Sequence, residues 1–431
     1  MRKSTQKKTS FSAYLCASAS SAFILRGSLL AASLLFAGCD SADPPQFHLN
    51  QITMIENEIT EAQQKDIATV LSALFGTPDE PQVLGEMGLD INKIQMAAGH
   101  AWSDREGTKY GLYRRHCVHC HGITGDGHGP TAPFLNPYPR DFRAGKFKFK
   151  STERTAMPTR QDLLHTLREG IPGTAMPSFK LLPPDELDAL VEYVRYLTLR
   201  GRMEAQLGSF TVDELEINDP DTKDVDETTR LVGVDESGNV DFDKETIVDG
   251  LLADELAAWE EAADQVIRPD DEVAPPTDRT AEQVATSTAI GRELFFGAKA
   301  NCFSCHGPTA LGDGQTTDVD DWNKVTKEFL EKYDDLTAAS VGALPVRNIR
   351  PRNLRTGVYR GGRKPRDVYR RLYAGINGTP MPAVGPSSPG GKGTLTDEEM
   401  WQLVDYVMSL PYEPASQPPK ASLPENKRIR H

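Results

Sequence analysis

The sequence is poor in cysteine, with six in 431 residues. Four of the six stand in two short motifs, and the other two, Cys16 and Cys39, lie near the N-terminus. No cysteine is left over for a structural disulfide, so a disulfide-stabilised scaffold is excluded. The fold must instead be held together by hydrophobic burial and by whatever the motif cysteines bind.

Long hydrophobic runs are scarce as well, and acidic residues outnumber basic ones, 62 to 48. The apolar run 28–37 is too short for a membrane span, which needs about 20 residues. The formal net charge of -14 argues against nucleic acid as a partner. A composition of 38% hydrophobic and 26% charged residues suits a folded chain, and the length allows two or three domains.

The N-terminus resembles a bacterial signal peptide of the lipoprotein type, covering residues 1–38. Basic residues precede the apolar run, which ends in Phe36-Ala37-Gly38-Cys39. A small residue before a cysteine predicts that Cys39 is lipidated and becomes the mature N-terminus. Simple secretory cleavage nearby and a retained membrane anchor are the alternatives. We expect an exported protein, lipid-anchored on the periplasmic side of a bacterial membrane.

Two Cys-x-x-Cys-His motifs, each followed by glycine, lie far apart in the chain. Two thiols at this short spacing can add to the two vinyl groups of one haem, and the adjacent histidine can then bind the iron. The pattern therefore predicts two sites for covalently bound haem c. The motif residues are Cys117, Cys120 and His121 in the first copy, and Cys302, Cys305 and His306 in the second.

Two other kinds of site use paired cysteines. A four-cysteine zinc site usually brings its pairs together within a few tens of residues, whereas these pairs are far apart and each carries its own histidine. A thioredoxin-like redox pair is not followed by His-Gly. Both alternatives are therefore less favoured than haem.

The two motif regions form an internal repeat. Each motif is followed by a Pro-Arg pair containing Arg140 or Arg352, then a helical pattern, a Met-Pro pair at Met176 or Met381, and a closing helix. Histidine and methionine are 55 positions apart in the first copy and 75 in the second. Most of the difference falls within about 318–344, where the pattern predicts an inserted helix.

Met176 and Met381 are the predicted sixth ligands of the two irons, because methionine paired with histidine closes the iron of an electron carrier. Met157 also precedes proline, but it comes before the middle helix and has no counterpart in the second copy. Arginine pairs well with carboxylates, so Arg140 and Arg352 are predicted to contact haem propionates. Five other histidines are less favoured than the methionines as distal ligands of the iron: His100, His116, His119, His128 and His165.

An acidic stretch separates the two copies. Residues 204–282 contain 25 Asp and Glu against five Lys and Arg, and their low apolar content is typical of a linker. One helix around Leu251 and Trp259 is possible within it, and a docked acidic arm is the alternative. Before the first copy, Thr60 and Gln63 have capping-box spacing, and residues 59–75 follow a helical period. We expect that helix to pack on the first domain.

The chain resembles the class I cytochrome c family over about 101–200 and 280–411. The shared features are Cys-x-x-Cys-His-Gly, the later Met-Pro, and an aromatic in the closing helix, which is Tyr193 or Tyr406. The second copy also has Gly291 at the position where the family has a small glycine, which allows the opening and closing helices to cross closely. In the first copy, the candidates for the crossing pair are Gly107 or Gly111 with Tyr110 or Tyr113.

This resemblance implies an all-α fold with two tandem haem domains joined by an acidic linker, and two covalently bound haem c groups. The predicted organisation is a signal peptide (1–38), a tether with a helical segment (39–100), the first cytochrome c domain (101–200), the acidic linker (201–283), the second cytochrome c domain (284–412) and a C-terminal tail (413–431).

Basic residues crowd 347–371 and, less densely, 140–154. They could neutralise haem propionates, form a docking face for an acidic redox protein, or be covered by the acidic linker of the same chain.

The leading functional hypothesis is a dihaem electron carrier, not an enzyme, that exchanges single electrons with redox proteins as donors and acceptors. The linker would let one domain move between them. The alternatives are a dihaem peroxidase-like enzyme and a haem subunit of a larger oxidoreductase complex. The matching Met candidates argue against the peroxidase, which needs an openable iron.

Overall fold

The computed structural model describes residues 44–213, 230–234, 237, 240–269, 273–385 and 395–416. The predicted all-α class is confirmed, since helices dominate these residues and the strands form two-residue pairs. The predicted signal peptide, Cys16, Cys39 and the end of the predicted C-terminal tail lie outside the described residues. Among the described helices, none combines the length and apolar character needed to cross a membrane.

The described residues of the first half of the chain form seven α-helices and one antiparallel strand pair, in which Trp102 is paired with Tyr110. The elements are α1 (Gln51–Glu56), α2 (Glu61–Phe75), α3 (Ile91–Ala97), β1 (Trp102–Ser103), β2 (Lys109–Tyr110), α4 (Leu112–His116), α5 (Val118–His121), α6 (Arg160–Glu169) and α7 (Pro184–Asp213).

In the second half, the part that the structure describes forms six α-helices and a second antiparallel strand pair. The elements are β3 (Gly233–Val234), β4 (Val240–Asp241), a π-helical turn (Glu245–Leu252) that continues into α8 (Ala253–Glu260), α9 (Ala281–Phe296), α10 (Phe303–His306), α11 (Asp321–Lys332), α12 (Pro365–Ala374) and α13 (Asp397–Ser409).

The long helix α7 organises the first core. Leu190, Tyr193 and Leu197 on this helix are at most 1% exposed and pack with residues of α2, α3, α4 and α6. The predicted helix over 59–75 is confirmed as α2, with its Thr60–Gln63 capping box, and it packs on the first domain as expected. The Tyr196 hydroxyl donates to the Phe75 carbonyl oxygen at the end of α2 and anchors the two helices to each other.

The described part of the acidic stretch also packs against this core. Leu252 and Trp259 are buried in it, and Arg202 of α7 pairs with the buried carboxylate of Glu255. Further along, the Ile267 N–H donates to the Ser151 carbonyl oxygen (2.8 Å), and the Ile267 side chain joins the second core. The apolar side chains of the segment are buried on the first domain, so the segment is a docked arm over these residues and not a free spacer.

In the second domain, the opening helix α9 crosses the closing helix α13 at Gly291. A Cβ atom there would overlap the Gln402 carbonyl oxygen and press on Tyr406, so glycine allows the close approach. Phe295, four residues on, meets the Tyr406 ring edge-on with centroids 5.3 Å apart. The capping box of Thr396 and Glu399 starts α13 as its spacing predicts.

The first domain builds the same contact differently. Its opening helix is broken into α3 and α4 by the β1–β2 pair, and Tyr113 of α4 packs on Tyr193 at 4.9 Å. The glycine expectation was wrong here. A Cβ at Gly107 would meet no atom within 4 Å, and one at Gly111 would meet the His100 carbonyl. Neither glycine lies where the closing helix crosses.

The insert of the second copy forms α11, as its sequence pattern predicts. This helix packs on the N-terminal segment that precedes the first domain, since Phe329 and Val341 are buried against Ile52. Asp321 and Asp320, at the start of α11, pair with Lys146 (2.7 Å) and Lys148 (3.2 Å) of the first domain. The insert therefore joins the two haem-motif domains through both apolar and charged contacts.

Replacing Gly291 by alanine should destabilise the second domain. The added methyl group has to displace the α13 backbone, and overpacking of this kind costs roughly 1–3 kcal/mol. Thermal or denaturant unfolding measures the loss of stability, and hydrogen exchange of the α9 and α13 amides shows whether the loss falls on these two helices. Gly85→Ala is the matched control, because a Cβ there meets nothing within 4 Å. Equal stability of the two variants would contradict the crossing role of Gly291.

Candidate haem sites

In the first copy, the motif forms one turn of helix. The N–H groups of Cys120 (3.1 Å) and His121 (2.9 Å) both donate to the Cys117 carbonyl oxygen. Gly122 then ends the turn with a φ of 74°. A Cβ at this glycine would overlap the Asp126 carboxylate. The turn is thus tied to the loop that follows it.

The second copy repeats this geometry. The His306 N–H donates to the Cys302 carbonyl oxygen (2.9 Å), and Gly307 ends the turn with a φ of 79°. A Cβ at Gly307 would overlap the carboxylate of Asp313. These two aspartates are site residues that the sequence reasoning missed, although each stands in a Gly-Asp-Gly triplet shortly after its motif.

A main-chain carbonyl orients each motif histidine. His121 Nδ1 lies 3.0 Å from the Arg140 carbonyl oxygen, and His306 Nδ1 lies 3.1 Å from that of Arg352. These bonds leave each Nε2 to bind a metal. Burial lowers the pKa of His121 to about 4 and also lowers that of His306, which favours neutral imidazole. The repeated Pro-Arg pair therefore contributes its backbone to the site, beyond the predicted role of its side chains.

The cysteines do not have the electrostatics of a redox pair. Burial raises the pKa of both Cys117 and Cys302 to about 12, so neither thiol is poised as a reactive thiolate. In the described part of the chain, no three His, Cys, Asp or Glu side chains converge to hold a metal ion. The two cysteine pairs are therefore not brought together in the manner of a four-ligand zinc site.

Each predicted methionine ligand lies in the same kind of tight loop. The N–H of Ile171 donates to the Met176 carbonyl oxygen (3.1 Å), and that of Ile376 donates to the Met381 carbonyl oxygen (3.3 Å). Both methionine side chains are half-buried against their own domain core. The two loops thus present equivalent methionines, and their iron ligation stays a prediction.

Met157 has a different environment from Met176. Its side chain is 4% exposed in the first core, and a Cβ at Gly145 would lie 3.0 Å from its methyl group. The Thr152 hydroxyl donates to its carbonyl oxygen (2.8 Å). The capping box of Thr159 and Asp162 begins α6 just after it. These contacts describe a core residue that fills space beside Gly145.

Arg140 is suited to receive an anionic group at the first site. Its guanidinium stacks on the Trp322 ring, 3.8 Å from the centroid. Within the described residues its side chain has no carboxylate within 4 Å and no hydrogen-bond acceptor. Burial lowers its pKa to about 10. A haem propionate is the kind of acceptor this charge lacks, so the donor set fits the group. Arg352 differs, because its Nε donates to the Val358 carbonyl oxygen (3.0 Å).

The basic residues of 347–371 are used largely inside the chain. They donate to main-chain carbonyls, as Arg347 does to Pro133 (2.7 Å) and Leu135 (2.8 Å). Lys146 and Lys148 of the first copy pair with acids of the insert, and Lys150 donates to the carbonyl oxygens of Glu153 and Ala156. Among the residues that the structure describes, these three lysines form no ion pair with the acidic linker. Internal partners are also described for Arg355, Arg360, Arg363, Arg370 and Arg371.

A family model described as cytochrome c matches residues 110–198 and again residues 288–411. No curated protein matches the chain. Among solved structures, the chain is similar to a chain of the reducing HAO-like protein complex of Kuenenia stuttgartiensis. The two are 23% identical, the match covers 70% of this chain and 94% of that chain, and the TM-score is 0.42.

Replacing Met176 by alanine should remove the long-wavelength methionine-to-iron band of one haem and lower its reduction potential. We expect a drop on the order of 0.1 V, part of the roughly 0.8 V that axial ligands span. Visible spectroscopy and redox titration measure both effects. Met157→Leu is the control and should keep the band. If Met157→Leu lost the band while Met176→Ala kept it, the ligand assignment would be wrong.

Proposed function

Because the chain belongs to the cytochrome c family through two separate regions, we propose that it is a dihaem c-type cytochrome that carries single electrons between redox proteins. Cytochrome c domains hold covalently bound haem c and transfer electrons. The observation that carries the proposal is the duplication of the whole site. Each copy has its own cysteine pair, its own carbonyl-oriented histidine and its own methionine loop.

The side chains divide the work in each copy. The cysteine thiols would attach the haem, and the histidine and methionine would occupy the two axial positions. When bound, haem supplies a one-electron couple between ferrous and ferric iron. The carbonyl of Arg140 or Arg352 keeps the histidine ring aligned through oxidation and reduction. A histidine and a methionine that both held the iron would keep water and other ligands away from it, which suits a carrier and not a catalyst.

The two copies are held together, so we propose electron exchange within a fixed pair of domains. Arg154 of the first domain donates to the carbonyl oxygens of Met381 (2.8 Å) and Thr379 (3.0 Å) in the second methionine loop. The Tyr138 hydroxyl donates to the Pro345 carbonyl oxygen (3.0 Å). These contacts, together with the docked acidic arm, replace our expectation of one domain moving freely on a linker.

External redox proteins remain the proposed partners. Because most arginines of 347–371 bond to carbonyls of this chain, a docking face for an acidic protein rests on fewer charges than the sequence suggested. Arg350 is exposed and is one candidate for such a face. Salt-sensitive electron transfer to a partner would support docking by charge.

The rival proposals are a peroxidase-like enzyme and a haem subunit of a larger oxidoreductase. We expect the ferric protein to contain two low-spin haems, each with a methionine-to-iron band, because both copies present a methionine. Magnetic resonance and visible spectra of the purified full chain test this. Rapid turnover of hydrogen peroxide, or one high-spin haem, would favour the enzyme. Co-purification in a stable stoichiometric assembly would favour the subunit.

Cytochrome c domains are typically exported, and we propose that this chain is tethered to the periplasmic side of a membrane through a lipid on Cys39. Cys39→Ala should move the haem protein from the membrane fraction to the periplasmic extract. Fractionation followed by haem staining measures the change, and Cys16→Ala is the matched control because Cys16 lies inside the predicted signal peptide. A Cys39→Ala protein that stayed on the membrane after its leader had been removed, as judged by N-terminal sequencing, would rule out this anchor.

A further inference from the structure

The insert that lengthens the second copy places a tryptophan against the first haem site. Asp320 caps α11 by accepting from the Asn323 N–H (3.2 Å), which places Trp322 in the first turn of the helix. The flanking acids pair with Lys146 and Lys148 of the first domain, as described above. The start of α11 is thereby held on the Pro-Arg region of the other domain.

Trp322 lies between elements of both sites. Its ring stacks on the guanidinium of Arg140, whose carbonyl oxygen orients His121. A Cβ at Gly378 would lie 2.5 Å from the same indole ring, and the Asp321 N–H donates to the Gly378 carbonyl oxygen (3.2 Å). Gly378 is three residues before Met381. The indole thus contacts the histidine-orienting segment of one site and the methionine loop of the other.

The opposite crossing between the domains lacks such a spacer. Gly173 is the counterpart of Gly378 in the first methionine loop, and a Cβ there would overlap the guanidinium of Arg352 directly. Arg360 also approaches the Gly173 carbonyl oxygen, at 3.4 Å. The first methionine loop therefore meets Arg352 of the other domain directly, whereas the second methionine loop meets Trp322, whose ring stacks on Arg140.

Trp322 and Arg140 both carry donors that lack acceptors. The indole Nε1 of Trp322 is buried and, among the described residues, has no hydrogen-bond partner. Arg140 is half-buried, and within the described part of the chain its guanidinium has no hydrogen-bond acceptor, although the charges of Asp320, Asp141 and Asp321 act on it. A buried donor without an acceptor costs roughly 1–3 kcal/mol, so the indole N–H indicates a missing partner. A carboxylate is an acceptor that suits the indole N–H and the guanidinium alike.

We propose that Trp322 is a positioning residue of the first haem site, which holds the Arg140 guanidinium in place and joins it in receiving a haem propionate. The proposal rests on the dihaem function proposed above. It assigns to the insert of the second domain a role in the first site. The insert also makes the two sites unequal, because the second copy's Arg352 is met by Gly173 instead of an aromatic ring.

The consequence is a difference in reduction potential. A positive charge held close to the haem in a dry site favours ferrous over ferric iron, because the ferrous centre carries one positive charge fewer. Because Arg140 would lie close to the first haem, we expect the first haem to have the higher reduction potential. An electron would then pass from the ferrous second haem to the ferric first haem. Loss of the indole frees the guanidinium to turn towards water and admits solvent.

The test is a redox titration of the full chain, loaded with haem, as wild type and as Trp322→Ala. In Trp322→Ala we expect the reduction potential of the first haem to fall by about 59 mV. At a fixed applied potential, this fall lowers the ratio of ferrous to ferric iron about tenfold. The wave of the second haem should move less than about twofold. Met176→Ala identifies which wave belongs to the first site.

Three further variants separate stacking from general loosening. Trp322→Phe keeps an aromatic face for Arg140 but lacks the N–H, so its first-haem potential should lie between those of the wild type and Trp322→Ala. It also provides a test if Trp322→Ala does not fold. Trp322→Ala should add little in an Arg140→Gln background, because the indole acts through Arg140. Trp102→Ala is the matched control, since that indole stacks on Tyr110 at 4.4 Å and touches neither Pro-Arg segment.

Unchanged potentials in Trp322→Ala, an equal shift of both waves, or full additivity with Arg140→Gln would each overturn the role of Trp322. In each of these outcomes, the spectrum of the wild type still shows two low-spin haems. High-spin iron or peroxide turnover in the wild type would instead overturn the proposed carrier function, so the two failures are distinguishable.

Discussion

Each candidate haem site depends on a hydrogen bond between a histidine ring and a main-chain carbonyl oxygen. The Arg140 and Arg352 carbonyls hold Nδ1 of their histidines at 3.0 and 3.1 Å. The bond selects the tautomer that leaves Nε2 for iron and sets the plane of the ring. It also ties the Cys-x-x-Cys-His turn to the Pro-Arg segment, on which the contacts between the domains converge.

The two domains use this shared segment to hold each other. The first methionine loop packs on Arg352, and the second packs on Trp322, which covers Arg140. Arg154 adds two hydrogen bonds to the second methionine loop. These contacts bear on the loops that carry the two predicted methionine ligands. The two domains therefore pack against each other as one unit and are not independent domains joined only by a linker.

Local patterns predicted much of the fold. Capping boxes at Thr60, Thr159 and Thr396 begin helices where their spacing indicates, and Gly291 lies at a helix crossing. The prediction failed at Gly111, where the strand pair interrupts the opening helix and moves the glycine away from the closing helix. Charge density was also a poor guide. Over the described residues the acidic arm docks because apolar side chains such as Leu252 and Trp259 are buried in the first core, while the buried carboxylate of Glu255 is paired with Arg202.

The sequence by itself determined the chemistry of the two sites, because covalent attachment to haem needs cysteines and histidine at a fixed local spacing that no other element has to complete. The duplicated order of histidine, Pro-Arg and methionine followed from the same local reading. The tertiary structure alone decided which residues serve a neighbouring site. Trp322 lies 182 positions after Arg140 in the chain, and nothing in their local patterns links them. Their contact exists because α11 docks on the other domain through packing of side chains that are distant in sequence.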